Sequence, residues 1–172
     1  MKLVALSLLC LIKPTISEDK RPIPDDFLGT WIPSHDENLN KLLEAKQYGW
    51  AIRQILMLNM VKKTFVRNKN TFNITLTTGQ RASSWDRMQI NKMFKSYYLD
   101  GLRYYFLFDR SEHGLLLQVF NEQTFEIKET VHFQYEEPFL QMYVTYNNVT
   151  ACIYHYKDEK RLEPKITLME LA

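Results

Sequence analysis

Two cysteines are all that this 172-residue chain carries, and one of them, Cys10, lies in an apolar stretch at the amino terminus. Once that stretch is removed Cys152 stands alone, so no internal disulfide can form and stability has to come from packing and the sheet. Metal and nucleotide motifs are missing as well. His35, His113, His132 and His155 are scattered, with no His-Glu-x-x-His, Cys-x-x-Cys or glycine-rich phosphate loop, so neither a metal nor another cofactor is expected. Ser83-Ser84 lacks the glycine pattern of a nucleophile elbow, and Cys152 lies beside no obvious base. Binding is therefore favoured over catalysis, and the chain is expected not to be an enzyme.

An excess of one charge is lacking too. Lys and Arg number 22 against 20 Asp and Glu, a formal charge of +2 that falls to 0 if Lys2 and Lys13 leave with residues 1–17. Nucleic acid as a partner has no compositional support. Nor is there an apolar run near the roughly 20 residues that a spanning helix needs. Lys2, the apolar Leu3 to Ile12 and the small or polar Thr15 and Ser17 instead have the layout of a secretory signal peptide. Its removal leaves 172 − 17 = 155 residues, enough for one domain and no second one, expected to be extracellular and monomeric. Two glycosylation sequons, at Asn73 and Asn148, suit the secretory route.

What the chain does contain is a short helical region followed by strands. Ser34 and Glu37 have capping-box spacing ahead of Leu39, Leu42 and Leu43, whose three-and-four spacing marks one helix face. Gly49 can end that helix or open the next. The second helix, Trp50 to Leu58, is apolar on most sides, which by itself reads as a helix buried in a core. After Met60, turn signals recur every ten residues or so, at 68–70, 78–79, 100–101, 111–114, 121–122, 136–138 and 147–148, with β-branched and aromatic segments between them. Phe125, Ile127, Val131, Phe133 and Tyr135 alternate with polar residues, interrupted at Glu129, and imply one apolar face.

Phe27-Leu28-Gly29-Thr30-Trp31, the helical Glu37 to Ala45 and then Tyr48-Gly49-Trp50 form an unusual order of elements. It resembles the fatty-acid-binding protein family, above all its secreted nematode branch. The match is dense over residues 26–59 and thinner over 60–157. Pro33 departs from it where an apolar strand residue is usual, and Leu39-Asn40 replaces an aromatic-acidic pair. The resemblance implies an all-β fold: a closed antiparallel β-barrel of ten strands, lipocalin- or calycin-like. The barrel would span residues 18–157, with a helix-turn-helix lid at about 36–58 and a charged tail at 158–172. Trp50, Ile52, Ile55 and Leu56 would belong to the lid, and the interior would carry a fatty acid or similar lipid.

In that family two arginines on late strands and a tyrosine two residues after the second hold a carboxylate. Ungapped register puts Phe133, Ile153 and His155 at those positions, and a slip of one residue offers Cys152 and Tyr154, so no arginine stands on the last strand. Leu140, Met142, Val144, Tyr146, Val149, Ala151, Ile153 and His155 should point inward, with His155 the candidate polar anchor. Gln141, Tyr143, Thr145, Thr150, Cys152 and Tyr154 should point out. Arg53 matches an arginine of the family's second helix, and Arg103 sits one residue after the family's portal arginine. Between Asp36 and Lys69 seven cations face three acids, which fits either a solvated face or transient contact with anionic membranes beside the second helix. Two rival functions follow. A neutral-lipid or retinoid carrier would need no carboxylate anchor, and a structural or interaction protein of an extracellular fluid or coat would bind no lipid at all.

Overall fold

Turn chemistry sets the frame of the molecule. The structure is a computed structural model that describes residues 22–58, 61–79, 81–98 and 101–159, so the signal-peptide stretch and most of the tail lie outside the described residues. A 3-10 turn, Asp25–Phe27, leads into β1 (Gly29–Glu37), then α1 (Leu39–Ala45) and α2 (Trp50–Leu58). Nine strands follow: β2 (Lys62–Asn68), β3 (Thr71–Thr78), β4 (Arg81–Met88), β5 (Phe94–Tyr97), β6 (Arg103–Ser111), β7 (Gly114–Asn121), β8 (Ile127–Glu136), β9 (Phe139–Tyr146) and β10 (Val149–Lys157). Asn147 and Asn148 both take positive φ, as the tightest hairpin turn requires, and Lys69 and Gly101 do so in theirs. The seven turn signals fall between these strands; the β4–β5 connection, where Asn91 has φ 60°, is one that the spacing did not mark.

The ten strands pair antiparallel in the order β4-β3-β2-β1-β10-β9-β8-β7-β6-β5. β4 and β5 are therefore the two edges, and the barrel is nearly rather than fully closed. Side chains bridge the seam. Trp85 of β4 packs on Phe94 at 5.9 Å and on Tyr98 at 6.1 Å, and its indole N–H reaches the Tyr97 carbonyl at 3.4 Å.

One end of the barrel is filled. Phe65 meets Phe133 edge to face at 5.7 Å and packs tilted against Phe27 at 6.1 Å, and Trp31 donates to the Phe27 carbonyl at 2.8 Å. The backbone comes so close at this end that a side chain on Gly114 would meet the Phe133 carbonyl oxygen at 1.9 Å. Only glycine fits that approach.

The other end is covered by α1, and its start differs from the capping-box expectation. Ser34 lies inside β1 as the extra residue of a β-bulge between Pro33 and His35. The strand thus runs on to Glu37 beside β10. Asn38 takes the left-handed conformation that asparagine tolerates (φ 61°), and the Asp36 carboxylate accepts the Leu39 N–H at 3.2 Å. Leu39, Leu42 and Leu43 are buried as their spacing requires. Gln47 (φ 62°) ends the helix, and Gly49 opens α2 by accepting the Arg53 N–H at 3.1 Å.

α2 is not a core helix. None of its residues is buried, and Trp50 is 70% and Leu58 86% exposed. A second bulge corrects the alternation on β8. Val119 pairs with Glu129 and Phe120 with Ile127, leaving Lys128 as the extra residue, so Ile127 turns to solvent while Glu129 joins the inner face with Val131 and Phe133. Phe125, before the strand, stacks on Tyr105 at 4.9 Å and stays exposed.

Candidate functional site

Strand alternation sends one side chain in two into the barrel, and beneath α1 the inward residues do not meet. They leave a cavity of about 380 Å³ whose lining includes Leu39, Leu43, Leu56, Val61, Met142 and Ile153. A deeper lobe of about 170 Å³ shares Leu39, Leu43, Met142 and Ile153 with it and is completed by Trp85, Phe108, Leu117, Val131, Phe133 and Val144. This size and this apolar lining suit a small-molecule pocket.

Charged groups stand inside it. Lys46, from the end of α1, forms a salt bridge with Glu129, whose side chain is only 5% exposed. Glu129 also accepts from the Tyr98 hydroxyl at 3.3 Å, and the Lys46 ammonium lies 5.7 Å from the Tyr146 ring centre. Lys128, aimed inward by its bulge, donates to the Tyr104 hydroxyl and sits 4.2 Å from that ring's centre.

Lys63 is different. On β2 it shares the inner face with Phe65, it is 4% exposed, and it lines both lobes. Its ammonium donates to the Val61 carbonyl at 2.9 Å and to His155 Nε2 at 2.7 Å. His155 on β10 is fully buried, and its Nδ1–H donates to the Leu140 carbonyl at 3.1 Å, which fixes Nε2 as the acceptor. Burial lowers the Lys63 pKa to about 7. Burial, helped by the neighbouring Lys63 charge, pushes His155 down to about 3. Among the described residues Lys63 makes no ion pair.

The residues singled out from the sequence scatter. Met142 and Ile153 line both lobes and Phe133 the deeper one. His155 lies behind Lys63 rather than on the cavity surface. Tyr154 lies outside the barrel, stacked on His35 at 4.3 Å and donating to Glu37 at 3.1 Å, because β10 alternates it away from Ile153 and His155. Cys152 shares that outer face yet is 5% exposed, and burial raises its thiol pKa. Arg103 is exposed, 5.8 Å from the Tyr97 ring centre. Arg53 pairs with Glu44 of α1 at 3.3 Å and lines neither lobe. Of the four lid residues only Leu56 reaches the cavity, while Trp50, Ile52 and Ile55 face solvent.

The basic cluster is rearranged in the same way. Lys46 and Lys63 turn inward and Arg67 pairs with Asp25, which thins the outward patch expected beside α2. Asn148 is exposed in the β9–β10 turn, whereas the Asn73 carboxamide accepts the Arg87 N–H at 2.8 Å within the β3–β4 pair.

Sequence reasoning passed over Lys46, Lys63, Tyr98, Lys128 and Glu129. For two of them a signal existed. Lys63 stands two residues before Phe65, on the same strand face, and Glu129 was the break in the β8 alternation.

Against known proteins, no family model matches the chain. It is 28% identical over 130 residues to fatty acid-binding protein homolog 1 of Caenorhabditis elegans, covering 74% of this chain and 82% of that one. It is 27% identical over 162 residues to the fatty acid-binding protein homolog of Ascaris suum, covering 90% and 98%. Among solved structures, As-p18, described as an extracellular fatty acid binding protein, superposes with a TM-score of 0.73 at 24% identity, over 78% of this chain and 98% of that one. The fatty acid binding protein of Schistosoma mansoni, in complex with arachidonic acid, superposes at 0.68 with 18% identity, over 78% and 97%.

Proposed function

As the chain belongs to the fatty-acid-binding protein family of the calycin fold, we propose that it carries one fatty acid or similar long-chain lipid inside the barrel. The observation that bears most weight is the apolar two-lobed cavity beneath α1, with Leu39, Met142 and Ile153 common to both lobes. Sequestration is the mechanism: each methylene taken out of water gains about 0.8 kcal/mol. Catalysis has no part in it. Entry runs past α1, α2 and Leu56, because the opposite end is packed solid around Phe27, Phe65 and Phe133.

The carrier works outside the cell as a monomer. Residues 1–17 act as the leader, the barrel runs from 18 to 157, and residues 158–172 form a charged tail. Asn148, exposed in its turn, is the better-placed glycan acceptor of the two sequons.

Native mass spectrometry of the protein made through a secretory route tests the reading in one experiment. The expected species begins near Glu18 and carries one lipid. An empty barrel that also fails to bind a fluorescent fatty acid or retinol on titration would overturn it and favour the non-binding interaction protein.

A further inference from the structure

A lipid carrier must place its ligand's polar end somewhere, and the late-strand positions where relatives of this fold would present arginines hold Phe133 and Ile153. The cavity supplies three cations of its own. Lys46 is already neutralised by Glu129. Lys128 is spent on the hydroxyl and ring of Tyr104. Among the described residues Lys63 alone of the three is buried on the inner wall with two neutral acceptors, the Val61 carbonyl and His155 Nε2, and no acid.

Resting on the lipid-carrier reading, we infer that Lys63, held from behind by His155, is the head-group subsite of this cavity and selects ligands that end in a carboxylate. An ammonium has three N–H bonds, and two of Lys63's are committed to protein acceptors. The third remains for a carboxylate oxygen, in a site shielded from water where a charge-assisted bond is strongest. His155 serves as a positioning residue. Its Nδ1–H is held by the Leu140 carbonyl, so Nε2 presents a lone pair to Lys63 and fixes the ammonium against the wall. Arg53, on the outer helix, and Arg103, on the surface, take no part.

The two charges complete each other. An unpaired ammonium buried in an apolar wall is costly, and so is a buried unpaired carboxylate; bringing them together removes both penalties. Because burial leaves the empty-state Lys63 with a pKa of about 7, a carboxylate arriving at higher pH also brings a proton onto the lysine. The other titratable groups of the cavity are Lys46 and Glu129, Lys128, and the phenols of Tyr48, Tyr98 and Tyr146. Lys46 and Glu129 pair with each other and Lys128 donates to Tyr104, whereas Lys63, among the described residues, meets neutral acceptors alone.

The test uses the full mature chain stripped of lipid, titrated calorimetrically with oleate and with methyl oleate from pH 6 to 10 in buffers of different ionisation enthalpy. Oleate should bind more tightly than its ester, with uptake approaching one proton above pH 8 and an affinity that falls about tenfold per pH unit there. The ester should show neither effect. Lys63→Met should weaken oleate by about 10- to 100-fold and leave methyl oleate unchanged, and Lys63→Arg should restore the preference for the acid. Oleate binding unaffected by Lys63→Met, or a preference lost on Lys128→Met instead, overturns the subsite while leaving the carrier reading intact. Proton uptake by the unaltered protein decides the matter even if a variant fails to fold. Binding of neither ligand overturns both readings together.

Discussion

Lys46 and Lys63 line the same cavity and were equally plain surface lysines in the sequence, yet the fold treats them in opposite ways. Lys46 meets Glu129, which a β-bulge brings to the inner face and which Tyr98 also holds. Lys63 meets a neutral imidazole and a carbonyl. A buried pair of opposite charges is complete and asks for nothing more, so it helps hold one arrangement of α1 over the barrel. A buried charge without a counter-charge is a standing cost that a ligand of opposite sign can remove. The first is architecture and the second is readiness for a partner, and the two can be told apart by what happens when each is taken away.

The largest expected effect comes from breaking the closed pair. Lys46→Met leaves the carboxylate of Glu129 in an apolar wall with the Tyr98 hydroxyl as its remaining partner among the described residues, and should cost about 3–5 kcal/mol of stability. Urea denaturation of the lipid-free protein measures it. Replacing both partners, Lys46→Met with Glu129→Leu, should recover much of the loss. If the single change costs no more than an ordinary surface substitution, the pair is not structural.

Removing Lys63 should do the reverse. Its pKa is depressed from 10.5 to about 7 by burial, so between those values the unfolded chain binds more protons than the folded one. Stability of the lipid-free protein must therefore rise with pH across that window. Below pH 7 the folded state carries the full cost of the buried charge, and Lys63→Met should stabilise it there by on the order of 2–4 kcal/mol. The gain should vanish above about pH 10.5. His155, depressed from 6.5 to about 3, adds a second window of the same sign, with stability lost as pH falls from 6.5 towards 3. A melting profile that stays flat through pH 7 to 10 for both proteins would show that Lys63 reaches water.

That contrast was only half legible beforehand. Turn residues announce themselves chemically, so the hairpin order and hence the barrel could be read, and the Leu39-Leu42-Leu43 stripe marked the buried face of α1. Alternation likewise put Met142, Val144 and Ile153 inside and Tyr154 outside in the ungapped register. It could not say what the inside needs. A lysine two residues from Phe65 is formally inward, but a long stem normally lets the ammonium escape to water. The Val61 carbonyl and His155 Nε2, which only the folded sheet brings together, hold it inside instead. The bulges at Ser34 and Lys128 left only indirect marks, Pro33 beside the first and the break at Glu129 beside the second, and neither mark said which way the phase would shift. α2 misled in the other direction: an apolar composition implied covered surfaces, while the helix lies with Trp50 and Leu58 exposed.

The smallest effect sharpens the comparison most finely. Tyr98 donates to Glu129 at 3.3 Å, near the upper limit of a useful hydrogen bond, and its ring also closes the seam against Trp85. Tyr98→Phe keeps the ring and deletes the hydroxyl, so it should cost only about 0.5–1.5 kcal/mol. If Glu129 belongs to the closed pair alone, that cost should be the same at pH 7 and pH 10, and oleate affinity should keep the pH slope set by Lys63. A Tyr98→Phe protein whose oleate binding loses its pH dependence would mean that Glu129, Lys46 and Lys63 share one proton balance. The division between a structural and a receptive cation would then have to be replaced by a single coupled network.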